Sequence, residues 1–181
     1  MADHWHELNI YHGVVKQLVR ANLVIGIDGS TTLNGGSKGL SSRTDRDRFH
    51  AMRKEFDVIL IGGETARNEP YGKTPIPLVV ISRSSTVPVM VAANPMLNLW
   101  NISPEVAIKK CQAEIGKKVL IEGGPNFLKA ALPWIDEISI TRANVSEGEN
   151  QIDLDSLIKD FSLISETSTG AEKYQLFKRI N

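Results

Sequence analysis

The chain has 181 residues, of which 41% are hydrophobic and 23% charged, enough for one domain with its own core and too apolar for a disordered or fibrous chain. Its 21 basic side chains balance 21 acidic ones, so it lacks the cationic footprint that nucleic-acid binding needs. No apolar run reaches the roughly 18 residues of a membrane span, which leaves a small molecule as the expected partner.

In chain order, Met1 to His12 is polar and carries no secretory signal, and residues 1–20 read as an N-terminal extension to a single domain at 21–181. Short apolar runs at 23–27, 58–61, 77–81, 119–121 and 135–140 read as strands, and most are continuous, as strands covered on both faces should be. Between the first two lies a helix at 44–56, with Thr44 as its N-cap and Phe49, Met52 and Phe56 as its apolar face. A second helix covers 103–114, capped by Ser103 with Pro104 in its first position, and a third runs from Gly124 or Pro125 to Leu132. The tail reads as two antiparallel strands, 161–164 and 174–177, about Ser168-Thr169-Gly170. The alternation gives an α/β domain with a mixed, mostly parallel sheet flanked by helices and closed by antiparallel C-terminal strands.

Several motifs fail on spacing. Gly72-Lys73-Thr74 is no P-loop, because Arg67 stands where the first glycine belongs, and His6-Glu7 is no zinc motif, because Ile10 replaces the second histidine. No metal is expected, and His4, His6 and His12 read as a solvated tail. The lone Cys111 excludes an internal disulfide and points to a reducing, cytoplasmic setting, so the Asn-x-Ser triplets at Asn101 and Asn144 read as chance. A Gly-x-Gly-x-x-Gly fingerprint is absent as well.

Four loops share one topological property: each follows the C-terminal end of an expected strand, where open α/β sheets bind ligands. They are Asp28-Gly29, Gly62-Gly63-Glu64-Thr65, Ser82-Arg83-Ser84-Ser85 and Glu122-Gly123-Gly124-Pro125. The last offers backbone amides to phosphate oxygens, with an ordinary glycine turn as the alternative. Glu122, at the end of an apolar strand, needs a polar partner if buried, such as a sugar hydroxyl or an amine. Arg46 and Arg53 share a stripe with Phe49 and Phe56, where they would take an anion or lie solvated at the rim. Ser82 and Arg83 suit a 2′-phosphate and hence NADP over NAD, with a plain polar turn as the competing view.

Together Val19-Arg20-Ala21-Asn22-Leu23-Val24, Asp28-Gly29, Gly39-Leu40-Ser41-Ser42, Asp57-Val58-Ile59-Leu60-Ile61-Gly62, Thr65-Ala66-Arg67-Asn68-Glu69-Pro70-Tyr71-Gly72 and Glu122-Gly123-Gly124-Pro125 resemble the pyrimidine reductases of riboflavin biosynthesis. The segment from Asn22 to Gly72 looks most like their stand-alone actinobacterial branch. The resemblance implies a dihydrofolate-reductase-like fold, a homodimer, and NADPH-dependent reduction of a phosphoribosylamino pyrimidine, the aminouracil or its diamino analogue, to the ribitylamino product. It assigns Val24, Gly39, Gly62, Thr65, Glu69, Ser82 and the turn Gly123, Gly124, Pro125, Asn126, Phe127 and Leu128 to the cofactor. Asn22, Ser37, Arg53, Tyr71 and Glu122 fall to the substrate. Asn22 stands where many bifunctional members have lysine, and Asn68-Glu69-Pro70 replaces their Asp-Asp-Pro. The zinc signature of their deaminase domain cannot be built from one cysteine.

Glu122 and Asp28 are the carboxylates on this edge that could carry a proton, with water as the alternative. Two other readings stand beside the reductase: a dihydrofolate-reductase-like enzyme for another pterin or pyrimidine, and a non-catalytic NADP-binding protein. The first is disfavoured because a pteridine site in that fold uses a carboxylate on the first long helix, where 44–56 is expected to turn arginines inward.

Overall fold

The computed structural model describes residues 16–180. Residues 1–15 of the expected extension, with His4, His6 and His12, lie outside them.

Eight strands form one sheet: β1 (Leu18–Ile25), β2 (Val58–Gly62), β3 (Leu78–Ile81), β4 (Leu97–Trp100), β5 (Lys118–Ile121), β6 (Glu137–Arg142), β7 (Phe161–Thr169) and β8 (Glu172–Arg179). The spatial order is β4-β3-β2-β5-β1-β6-β8-β7. The first six strands of that order run parallel, and β8 pairs antiparallel with both β6 and β7, as the sequence reading required. Among the described residues five α-helices accompany the sheet: α1 (Arg43–Arg53), α2 (Gly63–Asn68), α3 (Pro104–Glu114), α4 (Pro125–Ala131) and α5 (Leu154–Ile158).

The core lies on both faces of the sheet, which is why the central strands are apolar without alternation. In β2 the residues Val58, Ile59, Leu60 and Ile61 are fully buried, each contributing roughly 1.5 to 3 kcal/mol of transfer free energy. Val58 and Leu60 meet Ala107, Ile108 and Cys111 of α3 and Leu128 of α4. Ile59 and Ile61 point the other way, toward Ala66, Tyr71 and Val91. Burial pushes the Cys111 thiol up to about 12, so it packs as a small apolar residue.

Several boundaries differ from the sequence expectation, among them the ends of α1 at Arg53, β7 at Thr169 and β8 at Arg179. β1 begins at Leu18, paired with Lys118, and ends at Ile25, leaving Ile27 exposed. The chain leaves the sheet at Gly26, where a Cβ would lie 2.5 Å from Ser30 Oγ and 2.6 Å from the Val145 carbonyl. At α1 the N-cap is Ser42, whose Oγ accepts the Asp45 N–H at 3.1 Å; Thr44 already lies within the helix. The expected apolar face is also different: Phe49 and Met52 are half-buried, and the buried residues of the helix itself are Asp45 and Arg53. α1 therefore meets the sheet through polar groups.

Three elements were not expected: β4, α2 and α5. Each is short, at 4, 6 and 5 residues, and too brief to show a period.

Candidate functional site

From β1 the chain crosses over β5 to β2, and from β5 it crosses over β1 to β6. The crossovers diverge between β1 and β5, which opens a crevice at the C-terminal ends of these strands. A cavity of about 280 Å³ occupies that position. Its wall comes from Asn22, Leu23 and Val24 of β1, from Asp45 and Phe49 of α1, from Glu64, Thr65 and Asn68 of α2, and from Glu122 to Asn126 with Leu128 after β5. Two loops close it, with Thr31, Thr32, Gly35 and Ser37 on one and Asn150, Gln151 and Ile152 on the other.

Glu122 is buried, at 3% exposure. Arg53 Nε donates to its Oε1 at 2.9 Å and Arg53 Nη2 to its Oε2 at 2.7 Å, while the Tyr71 hydroxyl donates to Oε2 at 2.8 Å. The guanidinium is 4.2 Å from the Phe49 ring centroid and 5.1 Å from that of Tyr71. Burial pushes the Glu122 carboxyl above its ordinary value, against the opposing pull of Arg53 and Tyr71. For Arg53, desolvation is outweighed by the hydrogen bond and charge of Glu122, and its affinity for the proton rises. Three donors converge on two oxygens, an arrangement that favours the ionised carboxylate. Burial, reinforced by the Glu122 charge, raises the Tyr71 phenol well above its ordinary value, so Tyr71 stays a donor.

The second buried acid is Asp45 of α1, 8% exposed. Its Oδ1 accepts the Thr141 hydroxyl of β6 at 2.6 Å, and its Oδ2 accepts that of Ser41. Arg46, expected beside Arg53 on the inner edge, instead donates to the Ser41 carbonyl. The sequence argument that this helix turns only arginines inward is therefore corrected: the first long helix does bring a carboxylate to the cavity.

The glycine loop after β5 is tied to α2, where the Gly124 N–H donates to Thr65 Oγ1 at 3.0 Å. A Cβ on Gly62 would lie 3.1 Å from Phe127 Cβ, so glycine there lets α4 seat against the end of β2. Glu69 Oε1 accepts the Ser37 N–H at 2.6 Å, anchoring the cavity loop. That loop is braced from across the chain by Glu149, which accepts the Thr32 hydroxyl at 2.9 Å and the amides of Asn34 and Gly35 at 3.0 and 3.3 Å. These bonds, the one from Thr32 first, hold the Glu149 carboxyl below its ordinary value.

Residues 17–152 match the family model described as the RibD C-terminal domain. The chain belongs to this family.

The RibD-like fold is borne out by solved structures. A pyrimidine reductase-like protein from Corynebacterium diphtheriae superposes with a TM-score of 0.71 at 21% identity, over 91% of this chain and 92% of that one. A diaminohydroxyphosphoribosylaminopyrimidine deaminase/5-amino-6-(5-phosphoribosylamino)uracil reductase from Thermotoga maritima gives 0.72 at 15% identity, over 91% of this chain and 57% of that one. RibD from Acinetobacter baumannii gives 0.73 at 16%, over 92% and 59%. The chain thus spans less than two thirds of these two longer proteins. No curated protein matches it.

Among the residues expected at the RibD-type site, Asn22, Val24, Ser37, Thr65, Glu69, Tyr71, Glu122, Gly123, Gly124, Pro125, Asn126 and Leu128 line the cavity. Arg53 stands behind Glu122. Gly62 and Phe127 support the floor from outside it, and Gly39 packs against Leu33. Asp28 is corrected: it is exposed, outside the cavity wall, and spends its oxygens on Ser30 N–H and Oγ and on Glu147 N–H. These bonds hold its carboxyl below the ordinary value, the wrong direction for a proton donor. Ser82 is buried and Arg83 exposed, both outside the cavity wall. The sequence reading gave no site role to Asp45, Asn68 or Lys129, and of the two closing loops it named only Ser37. Asn34-Gly35, with φ of 55° and 80°, is a hairpin signal that could have placed the first of these loops. Among the described residues no helix is long and apolar enough to cross a membrane.

Proposed function

We propose that this chain reduces a phosphoribosylamino pyrimidine to its ribitylamino product with NADPH. The observation that carries the reading is Glu122, held ionised by Arg53 and Tyr71 on the wall of the cavity between β1 and β5, directly before Gly123-Gly124. The fit to a dinucleotide rests on the same loop. A Cβ on Gly124 would meet only Thr65 Oγ1, at 3.8 Å, so a ligand can approach the backbone closely there. Val24, Thr65 and the turn from Gly123 to Leu128 would hold the cofactor, whose chemistry is hydride delivery to the sugar C1.

The protein's task is then to orient and to exclude water. With Arg53 Nε on Oε1, that oxygen keeps a second lone pair for a sugar hydroxyl. As an ionised acceptor Glu122 grips that hydroxyl and supplies no proton, which leaves solvent as the source. Asn22 and Ser37 complete the substrate side. The homodimer and the cytoplasmic setting belong to this same reading.

Incubation with NADPH and a panel of pyrimidine ribosyl phosphates should consume NADPH and yield a product heavier by two hydrogens in mass spectrometry. NADPH binding without turnover of any pyrimidine would favour the non-catalytic reading instead.

Asp45 favours a second activity, reduction of a dihydropteridine. A buried carboxylate with Thr141 beside it matches the paired N–H donors of a 2-aminopyrimidine ring. If so, Asp45→Asn weakens binding of a 2,4-diaminopyrimidine by about tenfold or more, since a charge-assisted pair becomes a neutral one. Equal binding by the wild type and the variant, followed by calorimetry, would remove this second activity.

A further inference from the structure

We propose that a concavity at the ends of β1, β6 and β8, on the face of the sheet opposite Asp45, is a second ligand site, and that it takes the phosphate monoester of a small sugar or polyol.

Six residues line it: Ile27, Arg142, Ala143, Ala171, Lys173 and Gln175. None of them belongs to the wall of the cavity between β1 and β5. Thr141 turns toward Asp45, so Arg142, the next residue of β6, projects from the other face. The concavity holds about 270 Å³, just short of the roughly 300 Å³ at which small-molecule pockets begin. That volume suits a small ligand and not a dinucleotide.

Arg142 and Lys173 stand directly opposite each other in the ladder of β6 and β8, so their side chains share one face. Like charges in that position repel and destabilise a sheet. Among the described residues no acid pairs with Arg142, and Lys173 has only Glu166, at 3.9 Å. Glu166 is shared, since it also accepts Gln175 Nε2 at 2.6 Å. Two neighbouring cations with one distant counter-ion suit a dianion, and a guanidinium fork fits phosphate oxygens bidentately.

The rest of the ligand follows from Gln175. Its Oε1 is the one buried side-chain nitrogen or oxygen without a hydrogen bond among the described residues, and such a group calls for a partner. With the amide tilted toward the concavity, a hydroxyl beside the phosphate satisfies it. Ile27, 59% exposed, gives the carbon chain of the ligand an apolar wall.

The test is calorimetric titration of the full chain, at constant ionic strength, with ribose 5-phosphate, inorganic phosphate and acetate, for the wild type, Arg142→Gln, Lys173→Gln and Lys129→Gln. Of the three ligands, ribose 5-phosphate is expected to bind tightest. Arg142→Gln should weaken it about tenfold, as one charge-assisted contact is lost. Lys173→Gln should weaken it about threefold, because Glu166 already shares that charge. Lys129→Gln removes a cation from the wall of the other cavity and should leave the affinity unchanged. Since Arg142→Gln also ends the like-charge repulsion, the unliganded variant should melt no lower than the wild type; a lower melting temperature makes Arg142 a structural residue and overturns the assignment. It is overturned as well if ribose 5-phosphate gives no saturable heat at millimolar concentration, if Lys129→Gln and not Arg142→Gln abolishes binding, or if inorganic phosphate or acetate binds as tightly as the sugar phosphate. Each of these outcomes leaves the reductase reading as it stands, because the two sites share no residue.

Discussion

Arg53→Met is expected to destabilise the folded chain by about 3–5 kcal/mol, the cost of leaving a buried carboxylate without its partner. Methionine keeps much of the stem that packs on Phe49 and Tyr71, so the loss measures the charge rather than a cavity. The effect depends on pH in a defined direction. Burial already raises the Glu122 carboxyl above its ordinary value with Arg53 present, and removing the guanidinium takes away the main opposing pull. A folded-state pKa above the unfolded one means that the folded chain binds the extra proton. The variant's stability is therefore greatest below the unfolded carboxylate value and falls as pH rises through the folded one. Denaturant melts at about pH 5 and about pH 7.5 should show the gap to the wild type narrowing at the lower pH. A gap independent of pH would mean that packing, and not the Glu122 charge, explains the loss.

The fold was legible where burial writes itself into composition. Strands covered on both faces cannot alternate, and the runs that became β2, β3 and β5 stood out for that reason. β4 is an edge strand whose Leu97-Asn98-Leu99-Trp100 is only partly buried, so it carries a weak version of that signature. α1 shows the opposite failure. Its amphipathic reading assumed that an inward face must be apolar, yet the helix packs through Asp45 on Thr141, Arg53 on Glu122, and Arg48 stacked 3.7 Å over the Tyr174 ring. Each of these partners is remote in sequence. Polar pairs between distant segments satisfy one another only in three dimensions, and a pattern within one segment cannot announce them. The same limit hid the brace from Glu149 to Asn34 and Gly35, 115 and 114 residues away.

The candidate site divides along the same line. Gly62, Thr65, Glu122 and the glycines after it follow strand ends, and topology alone assigns that edge to ligands. What topology could not say is that the natural partner of Glu122 is already in the protein. The sequence offered Glu122 a substrate hydroxyl or an amine, and offered Arg53 an external anion or solvent; the fold pairs the two with each other. Neutralising Glu122 therefore carries a cost in stability as well as in any contact with a ligand.

Glu122→Gln is expected to lower kcat/KM by roughly ten- to a thousandfold, as the charge-assisted acceptor for a substrate hydroxyl becomes a neutral amide. It should also cost about 3 kcal/mol of stability, because the Arg53 charge is left buried with one weakened acceptor. The two losses need separating, since a purely structural carboxylate would produce the second and, through unfolding, part of the first. Replacing both partners, Arg53→Met with Glu122→Met, removes the buried charges together, and a buried pair exchanged for apolar residues of similar volume is often neutral in stability. That double variant should recover most of the melting temperature lost by Glu122→Gln while its turnover stays at the level of the single variant, measured at a temperature where every protein is folded. A double variant that regains both stability and turnover would make Glu122 a structural counter-ion to Arg53, with no hand on the substrate.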